Sequence, residues 1–202
     1  MPGPPLVYTP PNYNTQNVLY GIGILFTAIP GTATPSDQNL GVATAWTGLG
    51  WAYVGATEAG LTVTFNPSTQ DLYVEEQPTP VIVAVSTATL QVTCSLSEET
   101  LGNVNLAWGN GGTIAVTPAG AGQPGKSVLT LSTNFQQMAL AVIGKNQQGY
   151  ARVLNIPNVM SAGQVQTAYR RAAQQRLYPL TLNAICPFNQ ISWTDLTAVA
   201  TS

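Results

Sequence analysis

The sequence predicts an all-β, mainly antiparallel fold with one α-helix. Three observations point there. Segments such as LTVTF (residues 61–65) and LQVTCSL (residues 90–96) alternate apolar and polar side chains. That period of two places one side of a strand on a core. Gly-, Pro- and Asn-rich stretches punctuate these segments at close spacing. Helical spacing with start and stop signals occurs in one place, between Ser95 and Gly112. A chain of 202 residues can bury one sizeable core. The reading is an extended Pro-rich arm over residues 1–16, then a single domain over residues 17–202.

Taken in order, residues 1–13 hold five prolines and are expected to be extended. Residues 18–29 (VLYGIGILFTAI) form the longest apolar run, rich in β-formers and too short to cross a bilayer. They read as a buried strand, and no membrane segment is expected. The start has neither a basic n-region nor an apolar h-region, so no secretory leader is expected. In residues 90–96, Leu90, Val92, Cys94 and Leu96 share one face, which places Cys94 toward the core. Ser95 and Glu98 have capping-box spacing, with Ser97 as an alternative N-cap. Glu98 and Glu99 then fall in the first helical turn, where carboxylates suit the helix dipole. Leu101, Val104 and Trp108 follow at helical spacing, and GNGG (residues 109–112) stops the helix. TIAVT (113–117), SVLTLST (127–133), MALAVI (138–143), YARVLNI (150–156), QVQTAYRR (164–171) and LYPLTLNAI (177–185) complete the strands.

Charged residues make up only 7% of the chain, against roughly 25% in ordinary soluble domains. Weak self-repulsion permits close association of copies. A net charge of −2 gives no general affinity for nucleic acid, because that affinity comes from Lys and Arg neutralising phosphates.

GAGQPGKS (residues 120–127) fits the phosphate-loop pattern G-x-x-x-x-G-K-[ST]. Such a loop needs a helix behind it, so that N–H groups meet the phosphates, and an Asp elsewhere for the metal. A strand follows here instead. Asp37, Asp71 and Asp195 all lie in polar or turn-like surroundings. A hairpin loop of small residues is therefore expected, with no nucleotide and no cofactor.

Histidine is absent, which removes His-based triads, His metal sites and imidazole acid–base work. Cys94 and Cys186, on separate strands, make no zinc site and read as buried thiols. The close carboxylate pairs are Glu75/Glu76 and Glu98/Glu99. A glycosidase needs only two carboxylates, so a small β-rich hydrolase stays open. Trp46, Trp51 and Tyr53 offer a stacking platform for sugars, or else core and interface residues. A carbohydrate-binding or adhesive β-sandwich is thus a further alternative.

The run GWAYVGATEAGLTVTFNPSTQDLYVEEQPTPVIVAVSTATLQVTCSLSEETLGN (residues 50–103) resembles the middle of tailed-phage major tail tube proteins. RVLNIPNVMSAGQVQTAYRRAAQQRLYPLTLNAI (residues 152–185) resembles their C-terminal part. The order of segments carries the resemblance rather than any one motif. It implies a β-sandwich or half-barrel with one flanking helix, a fold shared with haemolysin-coregulated proteins of type VI secretion. It also implies a non-enzymatic protein of the virion tail, made in the host cytoplasm. Such proteins form hexameric rings that stack head-to-tail into a hollow tube through which viral DNA leaves. The implied partners are other copies of the chain, the tape measure protein, and tail tip and terminator proteins. DNA would pass without sequence-specific binding.

Charge is segregated along the chain. Seven of the eight acids lie at or before Glu99, and all six basic residues come later. Arg170, Arg171 and Arg176 cluster, while Glu75 and Glu76 sit in a Pro-flanked loop. One expectation is solvated surface. The other is that the acidic loop of one protomer meets the Arg cluster of the next, since two different faces are what a head-to-tail contact requires.

Overall fold

The computed structural model describes residues 23–145, 149–161, 163–166 and 177–196. In chain order these form β1 (Ile24–Ala28), a 3-10 turn (Asp37–Asn39), α1 (Ala43–Gly48), β2 (Ala52–Tyr53), β3 (Thr57–Val74) and β4 (Gln77–Leu96). There follow α2 (Leu101–Ala107), β5 (Thr113–Thr117), β6 (Lys126–Thr130), β7 (Met138–Lys145), β8 (Ala151–Ser161), β9 (Tyr178–Ala184), a second 3-10 turn (Phe188–Gln190) and β10 (Ser192–Asp195). Residues 1–16 and Arg170, Arg171 and Arg176 lie outside the described residues, as does most of the expected strand at 164–171.

The main sheet is eight-stranded and open, in the order β2-β1-β7-β8-β9-β4-β3, with β10 also paired to β8. Its named pairings are all antiparallel. The expected class, mainly antiparallel β, is what forms. Strand β7 sits in the middle, and its apolar run does not alternate because both of its faces are covered. Met138, Leu140 and Val142 join one core with Leu25, Val92, Leu154, Ile156, Leu180 and Leu182. Ala139, Ala141 and Ile143 join a second core with Phe26, Trp46, Trp51 and Val153. A two-stranded sheet of β5 and β6 stands apart.

Each core has a helical lid. Helix α2 supplies Leu106 and Ala107 to the first core. Its N-cap is neither Ser95 nor Ser97 but Thr100, whose hydroxyl accepts the Asn103 N–H at 3.1 Å. Ser95 is held in β4, paired with Pro179 of β9, so strand pairing defeats the local capping signal. Glu98 and Glu99 consequently precede the helix. The expected stop holds, with Gly109 at φ 100° and Asn110 at φ 54°, the left-handed conformation that ends helices.

Helix α1 lids the second core and carries no capping side chain. It forms because Trp46 is fully buried, stacked on Phe26 at 5.8 Å and edge-on to Trp51 at 5.0 Å. The Trp46 indole N–H donates to the Leu40 carbonyl at 2.9 Å. Trp51 is also buried, and its indole donates to the Ala33 carbonyl at 2.8 Å. Of the two readings for these aromatics, core placement holds for Trp46 and Trp51, and the sugar-stacking platform does not form, since only Tyr53 of the three is exposed.

Glu98 and Glu99 act as structural ties. Glu98 Oε1 accepts the Ala56 N–H at 2.9 Å, and Glu99 accepts the Tyr178 hydroxyl at 2.9 Å. Gly55 has φ 99°, and a Cβ there would meet the Glu98 carboxyl at 2.9 Å. Gly55→Ala is expected to cost about 1–3 kcal/mol through a strained φ and displacement of this carboxylate. Urea unfolding measures it, with the midpoint lowered and the slope unchanged.

Cys94 is buried on β4 with Leu90, Val92 and Leu96, and Cys186 is half-buried; both are free thiols. Burial pushes the Cys94 thiol up to about 11. A thiol reagent at pH 8 is expected to label Cys186 first and Cys94 only on unfolding. The raised value also sets a sign. The unfolded thiol ionises near its ordinary value of 9.0. The stability linked to Cys94 is thus complete below that pH and lost as pH rises through about 11.

Candidate assembly interface

Strands β3 and β4 form one long hairpin, of which the sheet holds only the root. Strand β9 pairs with β4 over Gln91–Leu96 and no further. From Thr69↔Val85 to Val74↔Gln77 the two strands pair only with each other among the described residues. In this distal ribbon β4 presents apolar side chains to both faces, while β3 sets Thr69, Gln70 and Asp71 opposite Val85, Ala84 and Val83. Leu72 and Ile82 are directly opposed on one face and are 50% and 56% exposed. Val83 and Val85, at 58% and 63%, share the other face with Val81 and Tyr73. A two-stranded ribbon is marginal alone in water, and β-branched residues favour strands because they pack on a pleated surface. This ribbon has the packing side chains and no surface beneath them.

At its root the apolar surface continues. Phe65 meets Phe188 edge-on at 5.5 Å. With Val63, Leu90, Ile191 and Trp193 they line an open apolar cavity of about 400 Å³. Trp193, on β10, is 60% exposed. The outer edge of β3 takes no strand among the described residues, which leaves backbone N–H and C=O groups free for pairing.

Glu75 and Glu76 form the two-residue turn at the hairpin tip, both exposed. The Pro-flanked loop expected there is thus a tight turn carried to the end of a long arm. Elsewhere Arg152 of β8 and Asp195 of β10 make an exposed ion pair across that strand pairing. Its hydrogen bond holds the Asp195 carboxyl below its ordinary range and the Arg152 guanidinium above.

The phosphate-loop pattern lies between β5 and β6. Gly120 and Gln123 bridge each other within the loop, and Lys126 opens β6, so a strand follows as expected. No helix N-terminus backs the loop. Among the described residues, no group of three His, Cys, Asp or Glu could hold a metal, and no helix is long and apolar enough to cross a membrane.

The residues that stand out are therefore the exposed apolar side chains of the β3–β4 arm and its root. They were missed in the sequence because VIVAV (residues 81–85) reads equally as a core strand. Its four β-branched residues in five were the available signal.

The fold is thus an open antiparallel sheet from which one hairpin extends with exposed apolar side chains. The family model described as phage tail tube protein matches residues 11–182. The chain belongs to that family, and is a structural component of the virion tail. A search of curated proteins finds no match.

Proposed function

We propose that the protein assembles into six-membered rings that stack head-to-tail into a hollow tube through which viral DNA is ejected. The observation that carries this is the β3–β4 arm, whose β4 strand exposes Val81, Ile82, Val83 and Val85 beyond the part of the sheet that β9 covers. Burying apolar surface favours association by about 25 cal/mol per Å². A neighbouring copy supplies the missing surface. A contact between two different faces generates rings where the rotation closes and filaments where it does not.

The remaining roles follow from this reading. The low charge lets copies pack closely. Six basic residues in the whole chain leave little to grip phosphates, which suits a conduit that DNA must traverse. Tape measure, tail tip and terminator proteins are the proposed partners at the inside and ends of the tube. The role needs neither catalysis nor a cofactor. Sedimentation velocity over a concentration series tests the ring: a species of six chain masses is expected, and a monomer at every concentration would refute it.

The placement of Glu75 and Glu76 at the arm tip supports a role for charge in stacking. The proposed acceptors are Arg170, Arg171 and Arg176 of the next copy, because a guanidinium fork holds a carboxylate by two hydrogen bonds. Arg170→Glu with Arg171→Glu is expected to block tube growth, and Glu75→Arg with Glu76→Arg to restore it in part. Tubes of normal length from the Arg double mutant would show that these charges are only solvated.

A further inference from the structure

The β3–β4 arm is not the only apolar surface left open. Beside the C-terminal end of α2 lies a groove of about 460 Å³. Trp108, Leu131, Phe135 and Val165 give it apolar walls, and Ser161 and Gly163 line it as well. Trp108 and Phe135 are 42% and 51% exposed. The groove has a built frame. The Ser161 hydroxyl donates to the Ala107 carbonyl at 2.9 Å, tying the end of β8 to α2. The Gln136 N–H donates to the Gly109 carbonyl at 2.9 Å, holding the Phe135 segment against the helix end. Among the described residues no charged one lines it.

We infer that this groove receives the Pro-rich segment at residues 2–11 of a neighbouring copy. This rests on the tube reading and names a second contact within it. Three observations select that occupant. The first is chemistry. PGPPLVYTPP packs five prolines with Leu and Tyr. Pro-rich segments in the polyproline II conformation dock into aromatic-lined grooves, and their preset φ lowers the entropy cost of docking. A Trp at the rim adds an indole N–H that such a segment's free carbonyls accept.

The second observation is charge. No Asp, Glu, Lys or Arg occurs before Asp37, and the described residues that line the groove are equally uncharged. The third is position. Strand β1 starts beside the Lys145 end of β7, because Ile24 pairs with Ile143. The groove lies at the other end of β7, where Met138 pairs with Val159 and β8 runs on to Ser161. Eight residues of β7 separate the two ends, about 23 Å at the rise of a strand. Residues 1–22 therefore join the fold at one end while the groove opens at the opposite end. A head-to-tail stack whose axis runs along β7 brings those two ends of successive copies together.

Disulfide trapping in the full chain tests this, with Cys186→Ser to remove the half-buried thiol. Pro5→Cys in one preparation and Ser132→Cys in another, mixed under assembly conditions and oxidised, are expected to yield a crosslinked dimer of the two variants. Both cysteines in one chain are expected to give a ladder of multimers. A double-mutant cycle gives a second readout. Phe135→Asp and deletion of residues 1–13 are each expected to raise the critical concentration about tenfold, and together no further, while melting stays cooperative. Tubes of normal yield without a crosslink, a crosslink closing only within one chain, or additive effects would overturn the groove assignment and leave the tube reading standing. Absence of rings and tubes from the unmodified protein overturns the tube reading and the groove assignment with it.

Discussion

Val83→Asp with Val85→Asp is expected to abolish tubes while leaving the protomer folded. Both side chains share one face of the distal ribbon and are more than half exposed in the single chain. Each change trades a strand former for a strand-disfavouring Asp, and Val83→Asp lies opposite Asp71, a cost of about 1 kcal/mol apiece that falls on the arm and not on either core. In an assembly that covers the ribbon, two buried valines are lost. Two carboxylates must also be desolvated without partners, which costs several kcal/mol. Each ~1.4 kcal/mol is tenfold in association, so the critical concentration should rise by more than about 100-fold. Pelleting assays against wild type measure this, alongside circular dichroism melts of the variant. Pelleting at wild-type concentration would show that the ribbon is not the contact. A collapse of the melting temperature would show instead that its residues support the protomer.

Trp46→Ala is expected to have the opposite profile, unfolding the protomer before any effect on contact can be read. The side chain is fully buried between Phe26 and Trp51, and its N–H satisfies the Leu40 carbonyl. Deleting a buried Trp costs about 3–5 kcal/mol, and the orphaned carbonyl adds about 1. At about 2–4 °C per kcal/mol for a chain of this size, the melting temperature should fall by roughly 10 °C. Helix α1 has no capping side chain, so it should lose its helicity along with the ring that anchors it. Trp46→Phe should recover part of the loss, since it restores apolar volume and not the hydrogen bond. A fall under about 3 °C for the alanine variant would mean that the second core is not organised around this ring.

What was readable in the sequence was what local pattern alone decides. MALAVI became β7, LQVTCSL put Cys94 on the core face, and GNGG ended α2. Where two local signals competed, tertiary pairing chose. Ser95 and Ser97 were the caps read from the sequence, but β4 claimed Ser95 for its ladder with β9 and Thr100 caps α2 instead. Helix α1 was not readable, because ATAWTG has neither cap nor helical period and depends on a Trp finding its pocket. The short strand β10 escaped notice because SWTD is defined by its pairing with β8.

The candidate interface was the least readable feature. Gly60, Pro67, Pro78 and Pro80 interrupt the pattern and suggest several strands where there is one hairpin, and Glu75-Glu76 is not a usual turn signal. Apolar alternation reports that a face will be covered and not by which chain. The same ambiguity left Trp46 and Trp51 open between a core and a surface platform.

Electron microscopy of the concentrated, purified protein decides the matter most directly. Six-fold rings and hollow tubes one protomer thick in the wall, lost in the Val83→Asp/Val85→Asp variant, are the expected images. Dispersed single particles of one chain, persisting when tail-assembly partners are supplied, would contradict assembly into a tube.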